Sequence, residues 1–286
     1  MKRIIVGFDL TEIDEVLVAY LSFLANYWQF EEIYILHVTD SLTDGLEERQ
    51  KVWQTNLPID EFLKNKLQSF CFKHFPQALA EKIEYIISVG KPHEEMLRWA
   101  AEKETDLIVV GRKLTLAGSG MTPQKFALNS PCSVLLVPEN VEKNLDTVLV
   151  SSDFSMYSRK ATEIAIDLVD KVCYASLYCQ YIFEPTTSDE KHSFYETNVA
   201  KKQAEIEYEN FIREIDTKTV SVIPLLAKGA EEDDFVRTYQ NAKDIDASLI
   251  IVGSKGRTFI NNIFDKSFSQ GLITYNNKIP LLIVKM

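Results

Sequence analysis

The sequence predicts an α/β protein made of two tandem doubly wound domains, each a five-stranded parallel sheet. Three observations carry this reading: an internal repeat at near-constant offset, regular alternation of strand and helix patterns in each half, and strands that are apolar throughout. Residues 3–9 read Arg-Ile-Ile-Val-Gly-Phe-Asp and residues 147–153 read Thr-Val-Leu-Val-Ser-Ser-Asp. Residues 106–111 (Asp-Leu-Ile-Val-Val-Gly) match 248–253 (Ser-Leu-Ile-Ile-Val-Gly), and 133–137 (Ser-Val-Leu-Leu-Val) match 280–284 (Pro-Leu-Leu-Ile-Val). The separations are 144, 142 and 147 residues. Three strand-like matches at so steady an offset mark a duplicated unit. The polar stretch 139–144 holds the boundary, which gives domains at 1–142 and 143–286.

Each half then resolves into elements. Strands are expected near 3–8, 33–38, 83–89, 106–110 and 133–137, and near 147–152, 174–181, 219–226, 248–252 and 280–284. Helices are expected near 12–27, 59–74, 93–103 and 121–129, and near 157–170, 195–214, 231–243 and 265–275. The first helix of each half carries an apolar face, with Val16, Tyr20 and Phe23 in one and Ala161, Ala165 and Leu168 in the other. Strands 106–110 and 133–137 have no polar alternation, as parallel strands covered on both faces require. Strand–helix alternation of this kind builds an open parallel sheet with right-handed crossovers.

Composition narrows the function classes. The 286 residues carry 31 basic and 42 acidic side chains, a net charge of −11. Such a chain is repelled by phosphate backbones and anionic lipid, so a general nucleic-acid or membrane binder is disfavoured. The first residues lack the apolar core of a signal peptide, and the longest apolar runs are strand-sized. Cys71, Cys132, Cys173 and Cys179 show no Cys-x-x-Cys spacing; Cys71 and Cys132 sit among apolar neighbours and read as core residues. A reducing cytoplasm fits these features. The histidines at 37, 74, 93 and 192 have no metal-ligand spacing, and His37 and His93 read as structural. No Walker-A pattern and no Gly-x-Ser-x-Gly elbow occurs. The acidic run 231–234 opens a helix, where negative charge suits the dipole. In the helix near 195–214, Ile206, Tyr208, Phe211 and the following Ile215 read as its buried side.

In an open α/β sheet, ligands bind beyond the carboxyl ends of the strands. Each half brings three features there: the Asp that ends its first strand, the end of its second strand, and the loop after its fourth. In the second half that loop reads Gly253-Ser-Lys-Gly256-Arg257-Thr258, with Asp265-Lys266-Ser267 at the next helix start. Glycines turn backbone N–H groups toward an anion, a helix N-terminus adds positive potential, and Lys255, Arg257 and Lys266 add charge. The same spacing also suits a tight turn with solvated basic residues. Asp153, with Ser155 two residues on, reads either as a ligand contact or as a cap for the following helix.

On these residues the half-domain resembles the universal stress proteins, within the adenine nucleotide alpha hydrolase-like, Rossmann-like folds. The resemblance covers nearly the whole chain, twice. Nucleotide-binding members carry Gly, two residues, Gly, nine residues, then Gly and Ser or Thr. Gly253, Gly256 and Ser267 match, while Lys266 stands where the third Gly belongs and either blocks the approach or reaches a phosphate itself. The resemblance places Asp153 near ribose or phosphates and Ile182 near adenine, although the run Tyr-Cys-Gln-Tyr-Ile offers more than one register. It implies binding of ATP or a related adenine nucleotide, with or without Mg, and at most slow hydrolysis.

The first half departs further. Asp9 and Val38 match the strand ends, but Leu114 replaces the second Gly of the loop that starts at Gly111. Gly120 takes the third-Gly place, followed by Met121 instead of Ser or Thr. The first half is therefore expected to bind nucleotide poorly or not at all. Three functions follow: a cytoplasmic stress-response regulatory module with nucleotide mainly in the second domain, a stress-response interaction protein without nucleotide, or a hydrolase or transferase of the wider fold class, against which the absence of a Ser-Gly-Gly-x-Asp-Ser loop speaks. Members of this family pair the last strands of two domains, so a tandem chain implies an internal pseudo-dimer and allows a further homodimer.

Overall fold

The structure is a computed structural model that describes residues 1–42, 57–113, 129–184, 193–229, 233–254, 264–276 and 278–286. The chain divides into two compact units, Met1–Val141 and Glu142–Met286.

The first unit runs β1 (Arg3–Phe8), α1 (Ile13–Leu24), β2 (Glu32–Thr39), α2 (Ile59–His74), α3 (Gln77–Ala80), β3 (Ile83–Val89), α4 (Pro92–Glu102), β4 (Leu107–Arg112) and β5 (Ser133–Pro138). Its strands lie in the order β3-β2-β1-β4-β5, all parallel. The second unit runs β6 (Thr147–Ser151), α5 (Met156–Val169), β7 (Ser176–Phe183), α6 (Ser193–Arg213), β8 (Val222–Lys228), α7 (Asp234–Asp244), β9 (Leu249–Gly253), α8 (Phe264–Tyr275) and β10 (Leu281–Val284). It repeats the same parallel order, β8-β7-β6-β9-β10. Both are open doubly wound sheets, in which the strand order reverses beside the first strand.

The central strands are buried along their length: Leu107 to Val110 and Leu249 to Val252 are each at most 3% exposed. Two covered faces explain why their sequences lack alternation. Helix ends follow elementary rules. Pro92 opens α4, where its missing N–H costs nothing. In α2, Asp60 and Glu61 lie in the first turn and Lys73 and His74 in the last, matching the dipole at both ends. Pro224 lies inside β8 but is tolerated because β8 ends the strand order of its unit.

Some expectations need correcting. The buried stripe of α1 is Ile13, Leu17, Tyr20, Leu21 and Leu24, while Val16 and Phe23 are half-buried beside it. Phe23 instead extends an aromatic ladder, 6.0 Å from Tyr20 and 5.4 Å from Tyr27. In α6, Tyr208 and Phe211 are buried, as is Ile215 just beyond it, but Ile206 is 46% exposed. Cys71 is fully buried; Cys132 is only partly so, held near Thr105 and Ser130 hydroxyls. The helix expected near 121–129 falls almost wholly outside the described residues.

Candidate functional site

The carboxyl edge of each sheet is shaped by one local device, a left-handed residue directly after the first-strand Asp. Leu10 has φ 61° and Phe154 has φ 59°. Both residues stand 144 apart, and both turn the chain sharply from strand to helix.

In the second unit the turn is stitched by three side chains. Ser152 Oγ accepts from Phe154 N at 3.0 Å, and Asp153 Oδ1 accepts from Ser155 N at 3.0 Å. Ser155 is the N-cap of α5, its hydroxyl accepting from Ser158 N at 3.3 Å. The Phe154 ring packs 4.4 Å from Tyr181 and 5.1 Å from Phe211, tying the turn to β7 and α6.

In the first unit the same turn is held by carboxylates. Asp9 accepts from Thr11 N at 3.2 Å and from the Thr11 hydroxyl, and pairs with Lys113 Nζ at 2.7 Å. Asp14, only 2% exposed, accepts from Leu10 N at 2.8 Å and Asp9 N at 3.3 Å. Burial, then the charge of Asp9, pushes its carboxyl up to about 7, against the opposing pull of the two N–H donors and Lys113. His37 donates Nδ1–H to Phe8 O at 2.9 Å, and burial lowers its pKa. Ser158 occupies the place of Asp14 in the second unit, so the buried helix carboxylate is a feature of the first.

Register fixes the neighbours. Ser151 pairs with both Gln180 and Val252, so Ile182, Asp153 and Gly253 reach one edge on three adjacent strands. Gly7 pairs with both Leu36 and Val110, which brings Val38, Asp9 and Gly111 together in the first unit. Ile182 thus stands at the same register position as Val38. Gly253 and Gly111 have a packing reason of their own. A Cβ on Gly253 would lie 2.9 Å from the Tyr157 carbonyl carbon and 3.1 Å from Ser158 N; one on Gly111 would lie 2.3 Å from Ile13 Cγ1. In each unit the fourth strand touches the first turn of the first helix at this glycine.

Of the remaining sequence-derived residues, Gly120, Gly256 and Arg257 lie outside the described residues. Lys266 and Ser267 lie in the first turn of α8, where the backbone alone is described. Sequence reasoning missed Asp14, Thr11, Lys113 and the Phe154–Tyr181–Phe211 cluster. Asp14 had a readable signal, a carboxylate in the first turn of a helix facing a strand end. The aromatic cluster joins residues far apart in sequence and had none. Among the described residues no group of three or more His, Cys, Asp or Glu is placed to hold a metal, and no helix is long and apolar enough to cross a membrane.

Fold and edge geometry together define a tandem α/β protein of the Rossmann-like class. The universal stress protein family matches residues 1–138 and again 144–285. The chain therefore belongs to the universal stress protein family. A universal stress protein from Archaeoglobus fulgidus DSM 4304 is similar in structure, with a TM-score of 0.65 at 19% identity over 99% of this chain and 96% of that one. A functionally unknown protein from Pseudomonas aeruginosa PAO1 gives 0.62 at 12% identity, over 100% and 92%. No curated protein matches the chain.

Proposed function

We propose that this protein is a cytoplasmic stress-response regulatory module that binds ATP or a related adenine nucleotide, mainly in its second domain, residues 143–286, with at most slow hydrolysis. The observation that carries this is the meeting of Ile182, Asp153 and Gly253 on adjacent strands, at the start of a loop that keeps the Gly253, Gly256 and Ser267 spacing. Ser155, Arg257 and Lys266 complete the candidate set, the two basic residues supplying charge for phosphates and any Mg arriving with them. Nucleotide would favour one conformation and so alter a partner contact. The first domain, residues 1–142, serves mainly as a structural copy: Leu114 replaces the second loop glycine, and Met121 the Ser or Thr. Asp9, Val38, Gly111 and Gly120 are its weak counterparts of the binding set. The resemblance also carries the proposal of an internal pseudo-dimer; light scattering of the intact chain decides whether it dimerises further.

A second reading, an interaction protein without nucleotide, is favoured by Lys266 in place of the third glycine and by the degraded loop of the first half. Denaturing the purified protein and assaying the supernatant separates the two. The first reading expects released adenine nucleotide, or a thermal shift with ATP and Mg; neither result would leave only the second. If ATP binds, Gly256→Ala is expected to weaken it about tenfold or more, a loss of about 1.4 kcal/mol. Leu114→Ala is expected to leave it unchanged, and equal losses would remove the assignment to the second domain.

A further inference from the structure

The second unit buries a polar pair where the first is apolar. Gln180 on β7 and Thr238 on α7 are both 0% exposed, and Gln180 Nε2 donates to Thr238 Oγ1 at 3.0 Å. At the equivalent places of the first unit stand Leu36 and Met96, each 1% exposed. The Gln180–Thr238 bond satisfies only half of the amide. Gln180 Oε1 has no partner among the described residues, and neither do two further buried atoms on the same helix, Arg237 Nε and Asn241 Nδ2.

The two donors flank Thr238 on α7, and the acceptor faces it from β7. Arg237 and Asn241 are four residues apart and so are neighbours on the helix surface, with Thr238 three residues before Asn241. Amide geometry keeps Oε1 within about 5 Å of the Thr238 hydroxyl that Nε2 already touches. The combination is one acceptor and two donors. A cation is repelled by the two donors and an anion by the carbonyl oxygen. A water molecule matches all three, donating once and accepting twice, and buried waters typically make about three such bonds.

We propose that the second unit contains an internal water-binding site between β7 and α7. Its water donates to Gln180 Oε1 and accepts from Asn241 Nδ2 and Arg237 Nε. The first unit has no such site, because Leu36 and Met96 carry no polar atom able to hold one. Gln180 lies two residues before Ile182 on the same face of β7, so the water sits behind the strand end proposed to meet the base.

The test combines crystallography with solution NMR on the intact chain. A density peak within hydrogen-bond distance of all three atoms is expected, with a long-lived water cross-peak to the Gln180 side-chain amide. Gln180→Leu with Thr238→Met, which installs the residues of the first unit, should abolish the site and raise Tm by roughly 2–4 °C. Asn241→Ala alters a helix position that is not fully buried; it should preserve the fold while sharply shortening the water residence time, and so serves if the double variant fails to fold. An empty position in the wild type, or Gln180 Oε1 bonded directly to a protein donor, would overturn the proposal. So would an unchanged water signal in Asn241→Ala.

Discussion

Gly253→Ala is expected to destabilise the second unit by about 1–3 kcal/mol, read as a lower denaturant midpoint with an unchanged slope. The added methyl meets the backbone at Tyr157 and Ser158 rather than a movable side-chain tip. That backbone is pinned, because Ser155 caps the helix and Asp153 holds the turn before it. Relief requires moving α5 away from β9 and opening the core around Ala161 and Ala165, both fully buried. Gly111→Ala offers a contrast. There the nearest atom is Ile13 Cγ1, so Ile13→Ala should recover much of the loss in a double-mutant cycle. A cycle with no coupling would refute the packing account. The result bears on ligand studies as well: lost nucleotide binding in Gly253→Ala would follow from a displaced α5 without any phosphate contact. Gly256 is the informative position.

The second large effect is pH-dependent and belongs to the first unit. The native pKa of Asp14, about 7, lies above its ordinary value of 3.8. Between these values the native state holds the proton while the unfolded state has released it. Stability from this group is therefore full at low pH and falls as pH rises from about 4 to about 7. Each pKa unit corresponds to about 1.4 kcal/mol, which sets an upper bound of about 4 kcal/mol on the loss. The groups facing Asp14 are Asp9, which raises its pKa, Lys113, which lowers it, and the Cys71 thiol, itself pushed up to about 12 by burial. Asp14→Asn keeps an oxygen to accept from Leu10 N and removes the charge. Its Tm should exceed that of the wild type by a margin that widens from pH 5 to pH 8. Parallel curves would show that Asp14 is not the titrating group. Asp9→Asn should move the transition to lower pH by removing the neighbouring negative charge.

The fold was legible because parallel, doubly covered strands leave a dense apolar signature, and the chain prints it twice. β1 and α2 fall where hydrophobic period and flanking residues put them. β8 was expected three residues early, since Val220 and its neighbours look like strand but form a turn after Lys218, whose φ is 51°. The candidate site was legible only in outline. Strand-end Asp9 and Asp153 follow from topology, but their partners do not. Lys113 reaches Asp9 across 104 residues, and Gln180 reaches Thr238 across 58. Such pairs depend on which strands become neighbours, and local periodicity says nothing of that. The stripe on α1 was misplaced for a related reason: Val16 and Phe23 are apolar, but contact with the sheet selects Leu17 and Leu24.

The left-handed step after the first strand says something about what the duplication has preserved. Leucine and phenylalanine both resist positive φ, at a cost of roughly 1–2 kcal/mol, yet Leu10 and Phe154 adopt it within 2° of each other. Around them one stitch differs: Leu10 N donates to the Asp14 carboxylate in one copy, and Phe154 N to the Ser152 hydroxyl in the other. The strand-end Asp accepts from the N–H two residues on in both copies, so that stitch has been kept while the acceptor for the left-handed residue's own N–H was exchanged. A letter-by-letter comparison scores this position as a loose hydrophobic match. Compared by φ, the two residues agree closely, and they supply a reference point for superposing one half on the other.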